Sequence, residues 1–249
     1  MASSQPEPGS GTDPIALPLS LSQHPPTWGL NLNAFPQGQA DLAVPYTSWK
    51  ALAAPLLAST GAYLYSSDYL HVTASSPAPF TNPALASWSA AERERYTAAW
   101  LAALRSTCSS AGSPGVWPSA PFALTFRALE LHASCAIFMV EDSSGSVARI
   151  RQCVAAAAAL VQGGSEGELL GRSGWKSPRI VHSTIMRIVT ATEPGAMQAA
   201  WAAAAAAWPA EGVTISCKEM VYLKELVPYQ HMVNPDSLEY VIARFPYSS

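Results

Sequence analysis

The chain has 249 residues, of which 49% are hydrophobic and 12% charged, and its formal net charge is −3 at pH 7. This length and apolar content suffice for one large globular domain or two small ones. The weakly negative charge argues against a protein that coats nucleic acid, which would need a basic face, but a few local cations would still suit a small phosphorylated substrate.

The first 26 residues are rich in Pro, Ser and Gly and contain no Lys or Arg. A secretory signal needs a basic start before an apolar run, and a transit peptide needs arginines, so neither is indicated. No apolar run in the sequence reaches the length of a membrane span. We therefore expect residues 1–26 to be a disordered tail, and the protein to be cytoplasmic, with the nucleus as the alternative, and without membrane contacts.

The four cysteines are scattered and form no CxxC pair. This usage is typical of buried, reduced thiols rather than of a disulfide framework. No His or Cys spacing that is characteristic of a metal site occurs either. We therefore expect no metal and no cofactor.

The apolar pattern of the first half predicts alternating strands and helices. The helix at 45–59 is predicted to have an apolar stripe formed by Trp49, Leu52, Leu56 and Leu57, and the next helix opens with a capping box, Ser89 with Glu92. In chain order the predicted elements are a strand at 28–32, the helix at 45–59, a strand at 62–75, a loop at 77–85, the helix that Ser89 opens, a loop at 109–121 and two strands at 122–130 and 133–140.

The second half repeats this order. Its predicted elements are a helix capped by Ser146, a glycine-rich loop at 163–174, a strand at 179–190, a helix from Pro194 to just before Pro209, and two closing strands at 212–223 and 238–245. Each half thus contains a helix, a strand that carries His-x-Thr, a second helix and further strands. The sequence indicates an internal duplication at the level of architecture.

The His-x-Thr sequence falls on a predicted strand in each half, at His71 and Thr73 and again at His182 and Thr184. Side chains two residues apart on a strand share a face, so two strands lying side by side would bring two imidazoles and two hydroxyls into one pocket. One neutral His can take a proton from an attacking water or 2′-hydroxyl, and the other, protonated, can donate to the leaving oxygen. The threonines can donate to the non-bridging oxygens, so the set suits a phosphodiester without a metal ion.

These segments resemble a known family. Leu-His-Val-Thr at 70–73 and Val-His-Ser-Thr-Ile at 181–185 match the paired hydrophobic-His-x-Thr-hydrophobic strands of the two-histidine (2H) phosphoesterases, also called LigT-like. Met-Val-Tyr-Leu-Lys at 220–224 is similar to the family's Val-x-Leu-Tyr strand, and 240–247 is similar to its final strand. The likeness covers roughly residues 28–247 as a pattern and these short stretches as motifs.

The resemblance implies an α+β fold with two pseudo-symmetric lobes, each an antiparallel sheet with flanking helices, and an active-site cleft between them. Residues 27–249 would form a single bilobal domain, with a first lobe at about 45–120, a second at about 145–225 and closing strands within 212–247. The implied chemistry is hydrolysis or transesterification of 2′,3′-cyclic, 2′-5′ or 3′-5′ phosphodiesters in RNA ends, oligonucleotides or nucleotide derivatives. His71 and His182 would be the acid/base pair of this reaction.

Two departures from the family pattern keep other functions open. Thr73 is followed by Ala-Ser and a Pro-rich loop where the family continues with hydrophobic residues, and the insert at 77–120 is longer than in compact members. A non-catalytic nucleotide- or RNA-end-binding module of the same fold is one alternative, and an RNA 2′-5′ ligase is another. We expect a nucleotide or RNA-end partner, no extended nucleic-acid-binding surface, and a monomer.

Three further residues are candidates for substrate binding. Tyr222 and Tyr229 are aromatic groups of the kind that stack on a base, and His231 lies in a polar turn between the last two strands. Arg187 comes five residues after His182, so strict alternation places it on the opposite face of that strand.

Overall fold

The structure of the protein, a computed structural model, describes residues 6–13, 27–34, 40–108, 117–226 and 240–247. Short apolar alternations form its strands and longer apolar periodicities form its helices, as the sequence predicts. The strands are β1 Gly29–Ala34, β2 Ala62–Leu64, β3 Val72–Ala78, β4 Phe122–Leu131, β5 Cys135–Glu141, β6 His182–Ile188, β7 Val213–Cys217, β8 Glu219–Glu225 and β9 Val241–Pro246. The helices are α1 Ala40–Leu57, α2 Ala90–Thr107, α3 Ser146–Gly163, α4 Gly167–Ser173 and α5 Pro194–Ala205, and 3₁₀ turns cover Ser67–Tyr69 and Pro83–Ser87.

Within the described residues the strands form two antiparallel sheets. The first sheet has the order β3-β1-β8-β9, and the second has the order β2-β6-β5-β4-β7. The predicted α+β class is therefore confirmed, and two antiparallel sheets with helices are compatible with a bilobal fold. Each sheet takes strands from both halves of the chain.

Two segments that were each predicted as one strand are divided between the two sheets. The segment 62–75 becomes β2 in the second sheet and β3 in the first, with the 3₁₀ turn between them. The segment 212–223 becomes β7 and β8, with only Lys218 between them. The first crossing contains the polar residues Ser66, Ser67 and Asp68, which the prediction included in the strand, whereas Lys218 alone is too short a break for the local pattern to show that the chain changes sheets.

The helices pack in pairs against the sheets. α1 and α5 contact each other and strands of the second sheet, where Trp49 donates from Nε1 to the Ala204 carbonyl at 2.8 Å. α2 and α3 contact each other, and the Tyr96 hydroxyl of α2 donates to the Pro77 carbonyl on β3 of the first sheet at 3.0 Å. The apolar core holds both motif strands in place, because Val72 and Ala74 of β3 and Ile185 and Met186 of β6 are buried in it.

The buried face of α1 differs from the predicted stripe. Two members of that stripe, Trp49 and Leu57, are buried as predicted, but Leu52 and Leu56 are 58% and 44% exposed, and Tyr46 is buried as well. The helix begins five residues earlier than the predicted start at position 45. The earlier start adds the buried Leu42 to the core-facing residues, and these then follow the usual helical spacing of three and four residues.

The predicted start of α2 was right, whereas α4 was not predicted. The capping box is confirmed, since Ser89 Oγ accepts from the Glu92 amide at 3.2 Å and the Glu92 carboxylate accepts from the Ser89 amide at 2.7 Å. The predicted loop at 163–174 instead contains α4. A Cβ on Gly167 would lie 2.4 Å from the Gln162 carbonyl oxygen, so glycine here permits α4 to start close against the end of α3.

Residues 6–13, part of the stretch expected to be a disordered tail, lie instead against the second sheet. The amides of Gly9 and Gly11 donate to the carbonyls of His132 and Ala133 at 3.0 and 2.8 Å. The amide of Asp13 donates to the Ile188 carbonyl at the end of β6. This segment is therefore brought next to one of the two motif strands. Residues 1–5 and 14–26 lie outside the described residues.

No helix in the described ranges is both long and apolar enough to cross a membrane. The four cysteines are free, and three of them, Cys108, Cys153 and Cys217, are buried, which agrees with the expectation of buried thiols. Cys135 is partly exposed.

Candidate functional site

A cavity of about 540 Å³ lies between the two sheets. All four residues of the two His-x-Thr motifs line it. Its other lining residues, from both sheets, from the segments that follow β2 and β3 and from the segment before β6, are Asn31, Tyr65, Ser76, Pro79, Phe80, Thr81, Lys176, Ser177, Pro178, Arg179, Arg187 and Glu225. The structure therefore brings together the quartet that the sequence singled out, in a volume typical of small-molecule sites.

The two motif strands present their residues in the same way. His71 immediately precedes β3, and His182 is the first residue of β6. In both motifs the His and Thr side chains are partly exposed and the residue between them, Val72 or Ser183, is buried. The alternation of strand side chains thus directs both members of each motif into the cavity.

The two motif strands lie in different sheets, not side by side in one sheet. β3 is an edge strand of the first sheet, and β6 belongs to the second. They meet across the cavity, and two backbone hydrogen bonds between Ser76 and Lys176, of 2.7 and 3.1 Å, connect β3 to the segment that leads into β6. The pocket therefore lies between the two sheets, with one motif on each side.

Arg151 on α3 connects the same two segments. Its guanidinium donates to the Ala74 carbonyl, next to Thr73, at 3.3 Å and to the Ile180 carbonyl, two residues before His182, at 3.0 Å. One side chain thereby holds the backbone of both motifs at a fixed spacing. No pattern in the sequence indicates this role, because a helical arginine near a strand end looks like a solvated charge.

The backbone orients the imidazole of His71. Its Nδ1 lies 2.8 Å from the Tyr69 carbonyl oxygen. Because a carbonyl only accepts, the neutral ring carries its proton on Nδ1 and its lone pair on Nε2. In the second motif the equivalent carbonyl is that of Ile180, which lies near the ring of His182 and raises the pKa of His182. Nδ1 of His182 makes no hydrogen bond of good geometry.

Both histidines are held in the neutral form. Burial, together with the smaller effects of nearby His182 and Arg187, lowers the pKa of His71 from 6.5 to about 4, against the opposing effect of the Tyr69 carbonyl. Burial also lowers the pKa of His182, and Arg151 and Arg187 add to that effect. The two imidazoles are close enough for the charge on one to disfavour the charge on the other, as in other coupled pairs.

This depressed pKa predicts a loss of stability in mild acid. Between pH 6.5 and about 4 the unfolded chain binds a proton at His71 that the folded protein does not bind. Acidification through this range therefore favours unfolding, by up to about 3 kcal/mol from this group, and the effect is complete once pH falls below the folded pKa. Urea unfolding at pH 7 and pH 4 should show a smaller loss for His71→Gln than for the wild type. An identical loss in both would contradict this prediction.

Arg187 lines the cavity, although strict alternation placed it on the opposite face of the strand. The pairing of β5 with β6 explains the difference: Ile137 pairs with Thr184, but the preceding Ala136 pairs with Met186. Ile185 is thus an extra residue, a β-bulge, which reverses the alternation for the rest of β6. The bulge brings a cation to the same side as His182 and Thr184.

Arg187 is one of the cations on the second-sheet side of the cavity, with Lys176 and Arg179 among the described lining residues. It forms an ion pair with Asp13 at 3.3 Å, and the two side chains are 17% and 13% exposed. Arg187 also opposes the effect of burial, which raises the pKa of the neighbouring Tyr65. The side of the cavity that carries the second His-x-Thr motif is therefore suited to an anion.

The other three candidates do not join this site. Tyr222 is fully buried in the principal core and does not line the cavity, and burial raises the pKa of its hydroxyl well above the ordinary value. It faces the core because it alternates with Val221 and Leu223, which pack on the other face of β8. Tyr229 and His231 lie outside the described residues.

Sequence reasoning missed Asn31 and Glu225, which line the cavity from β1 and β8 and are both only 4% exposed. A signal was present for Asn31, because polar residues alternate with leucines in β1, a strand that is buried along its whole length. A buried polar residue usually has a specific partner. Across the described residues, no group of three His, Cys, Asp or Glu side chains could hold a metal ion.

No family model matches the sequence, and no curated protein matches it. Among solved structures, the fold is similar to that of TT0787 of Thermus thermophilus, with a TM-score of 0.50 and 14% sequence identity over 88% of this chain and 97% of that chain. The conserved protein of unknown function ATU0111 from Agrobacterium tumefaciens str. C58 gives a TM-score of 0.46 and 14% identity over 82% of both chains. At this identity the likeness to TT0787 concerns the fold alone.

Proposed function

We propose that the protein is a metal-independent phosphodiesterase with a bilobal fold like that of the 2H phosphoesterases. The observation that carries the proposal is the convergence of His71, Thr73, His182 and Thr184 on one cavity. Two imidazoles and two hydroxyls at facing strand starts supply a base, an acid and two donors for phosphate oxygens. The substrates that fit this chemistry are 2′,3′-cyclic, 2′-5′ or 3′-5′ phosphodiesters of RNA ends, oligonucleotides or nucleotide derivatives.

The reaction begins with one histidine in its neutral form. Its Nε2 lone pair takes the proton of the attacking water, or of a 2′-hydroxyl in a transesterification, as the new P–O bond forms. The other histidine, protonated, gives its proton to the leaving oxygen as the old P–O bond breaks. Microscopic reversibility exchanges the two roles in the opposite direction, so either histidine can serve as base.

The electrostatics of the cavity fit this sequence of steps. In the absence of an anion both histidines favour the neutral form, since burial lowers both pKa values. A bound phosphodiester adds a negative charge beside the imidazoles, which raises their pKa and allows one of them to hold the proton that the leaving oxygen needs. The threonine hydroxyls and the Arg187 guanidinium stabilise the charge on the non-bridging oxygens.

The test is turnover of a panel of cyclic and linear phosphodiesters in the presence of EDTA. We expect hydrolysis of at least one member of the panel, with a bell-shaped pH profile from the two histidines. Activity that required an added metal would contradict the mechanism. Binding of a 2′,3′-cyclic nucleotide by titration calorimetry without any product would point instead to a non-catalytic binding module, and a joined product would point to an RNA ligase.

A further inference from the structure

Four consecutive residues before β6, from Lys176 to Arg179, form one wall of the cavity. The segment is fixed at its start, because Trp175 packs on Trp100 of α2 with ring centroids 6.0 Å apart. The backbone of Lys176 then exchanges two hydrogen bonds with that of Ser76 on β3. An anchored stretch of chain therefore presents the side chains of this wall to the cavity.

Strand β3 continues the cavity from the first motif to this wall. Ser76 follows Thr73 by three residues, up to about 10 Å of chain, and both line the cavity. Strict alternation would place them on opposite faces of the strand. Two consecutive residues of β1, however, pair with Thr73 and Ser75, so Ala74 is an extra residue on β3. This bulge turns Ser76 to the side of Thr73, next to the backbone of Lys176.

Two cations lie at the mouth of the cavity. Lys176 and Arg179 are exposed, whereas the histidines and threonines of both motifs are partly buried. Neither cationic side chain forms an ion pair or a hydrogen bond with the part of the chain that the structure describes, whereas every other arginine interacts with another residue. One unpaired surface cation is ordinary, but two on one wall of a cavity favour an anionic ligand.

The hydroxyl of Ser177, between these two cations in the sequence, also has no partner. Its Oγ is buried and makes no hydrogen bond within the described residues. Most buried polar groups in proteins have a partner, because a missing one is costly. Rotation about one bond moves this hydroxyl alone, so an acceptor oxygen bound in the cavity can satisfy it. A phosphate group is such an acceptor, and it also takes charge-assisted hydrogen bonds from Lys and Arg.

The chemistry of a ribonucleotide indicates which phosphate would reach this wall. In a 2′,3′-cyclic phosphate the scissile group occupies both O2′ and O3′, and the remaining ribose oxygen that carries phosphate in an RNA strand is O5′. With the scissile phosphate at the histidines and threonines, the rest of an RNA strand leaves the cavity through its mouth. The phosphate on O5′ is the first charge that it carries there.

We propose that Lys176, Ser177 and Arg179 form a second phosphate subsite, which binds the phosphate on O5′ of the nucleotide whose phosphodiester is cleaved; this rests on the proposed phosphodiesterase function. The preferred substrate is then an RNA end rather than a nucleoside cyclic phosphate without a 5′-phosphate. A mononucleotide with a 5′-phosphate presents the same chemical group, so both sources are compared directly.

The experiment compares kcat/KM for four substrates that share one scissile group. They are uridine 2′,3′-cyclic phosphate, its 5′-phosphorylated form, the dinucleotide uridylyl-uridine 2′,3′-cyclic phosphate, and the same dinucleotide with a neutral methylphosphonate linkage. For the wild type we expect the two substrates with a charged group on O5′ to exceed the other two by about tenfold. Their log kcat/KM should also fall more steeply with log salt concentration, by about 0.7 for one more phosphate contact. A gain for the 5′-phosphorylated mononucleotide alone would overturn the RNA-end assignment.

Three variants locate this preference on the wall. Lys176→Met/Arg179→Met removes both charges and keeps unbranched side chains, and should bring the dinucleotide-to-mononucleotide ratio of kcat/KM to about 1, with equal salt dependence. Ser177→Ala should lower the same ratio about threefold. Lys218→Met is the matched control, because Lys218 is exposed between β7 and β8 and does not line the cavity, and it should leave every value unchanged.

A second measurement separates this inference from the proposed function. Titration calorimetry with uridine 3′-monophosphate and uridine 3′,5′-bisphosphate reports the second phosphate without turnover. Turnover of all four substrates at similar kcat/KM, or an equal loss on all four in the double variant, would overturn the subsite and leave the phosphodiesterase standing. Tighter binding of the bisphosphate that the double variant loses, without turnover of any substrate, would support the subsite and overturn the phosphodiesterase. Neither binding nor turnover would overturn both.

Discussion

Replacement of either His71 or His182 by alanine is expected to lower kcat about a thousandfold on whichever phosphodiester the wild type hydrolyses. Each imidazole moves a proton in the transition state, and loss of a positioned general acid or base costs about 10² to 10⁴ in rate. KM should change little, because the threonines and the cations of the cavity still hold the phosphate. Steady-state kinetics on the two variants, over a range of pH, provide the measurement.

Two controls make this result specific. His132→Ala removes a histidine whose side chain is 46% exposed and which does not line the cavity, and its activity should stay within about twofold of the wild type. The double variant His71→Ala/His182→Ala should lose far less than the product of the two single losses, because groups that act in one step are not additive. If both single variants retained more than about a tenth of the wild-type activity, the acid/base assignment would be wrong.

Valine at position 73 or 184 is expected to lower kcat about a hundredfold in each case. Valine keeps the branched shape of threonine and removes only the hydroxyl, and loss of one preorganised donor to a transition-state oxygen costs about 10² to 10³ in kcat. Folding should be little affected, since both threonines are partly exposed. The measurement is kcat and KM for Thr73→Val and Thr184→Val beside their thermal unfolding midpoints.

A third threonine offers the control for this pair. Thr125 on β4 bonds the hydroxyl of Thr214 on β7 at 2.9 Å, on an exposed part of the second sheet. Thr125→Val should therefore leave kcat unchanged. A rise in KM at constant kcat for Thr73→Val and Thr184→Val would show that the hydroxyls bind the ground state and the transition state equally, against the role proposed here.

The candidate site was predictable where it depended on local geometry. Side chains two residues apart lie on the same face of any strand. His71 could therefore be placed beside Thr73, and His182 beside Thr184, without knowledge of the fold. The capping box at Ser89 and Glu92 is local in the same sense. These features survive errors in the predicted boundaries, because they depend on spacing within three residues.

The features that the sequence predicted wrongly or missed depend on pairing between distant segments. The bulge at Ile185, which brings Arg187 into the cavity, exists because of the register between β5 and β6. The division of 62–75 between the two sheets depends on the strands with which each part pairs, and the sequence of the segment does not identify those strands. Glu225 becomes part of the site only because β8 lies beside β1 in the first sheet.

The ion pair between Asp13 and Arg187 has a practical consequence for how the protein is made. It joins residues 174 positions apart, so a chain trimmed back to its first strand would keep every residue that lines the cavity and still lose this carboxylate. The trimmed cavity would gain one unit of positive charge beside both histidines. Kinetic comparisons should therefore use a chain that retains residues 6–13, because a shortened one can report on a differently charged pocket.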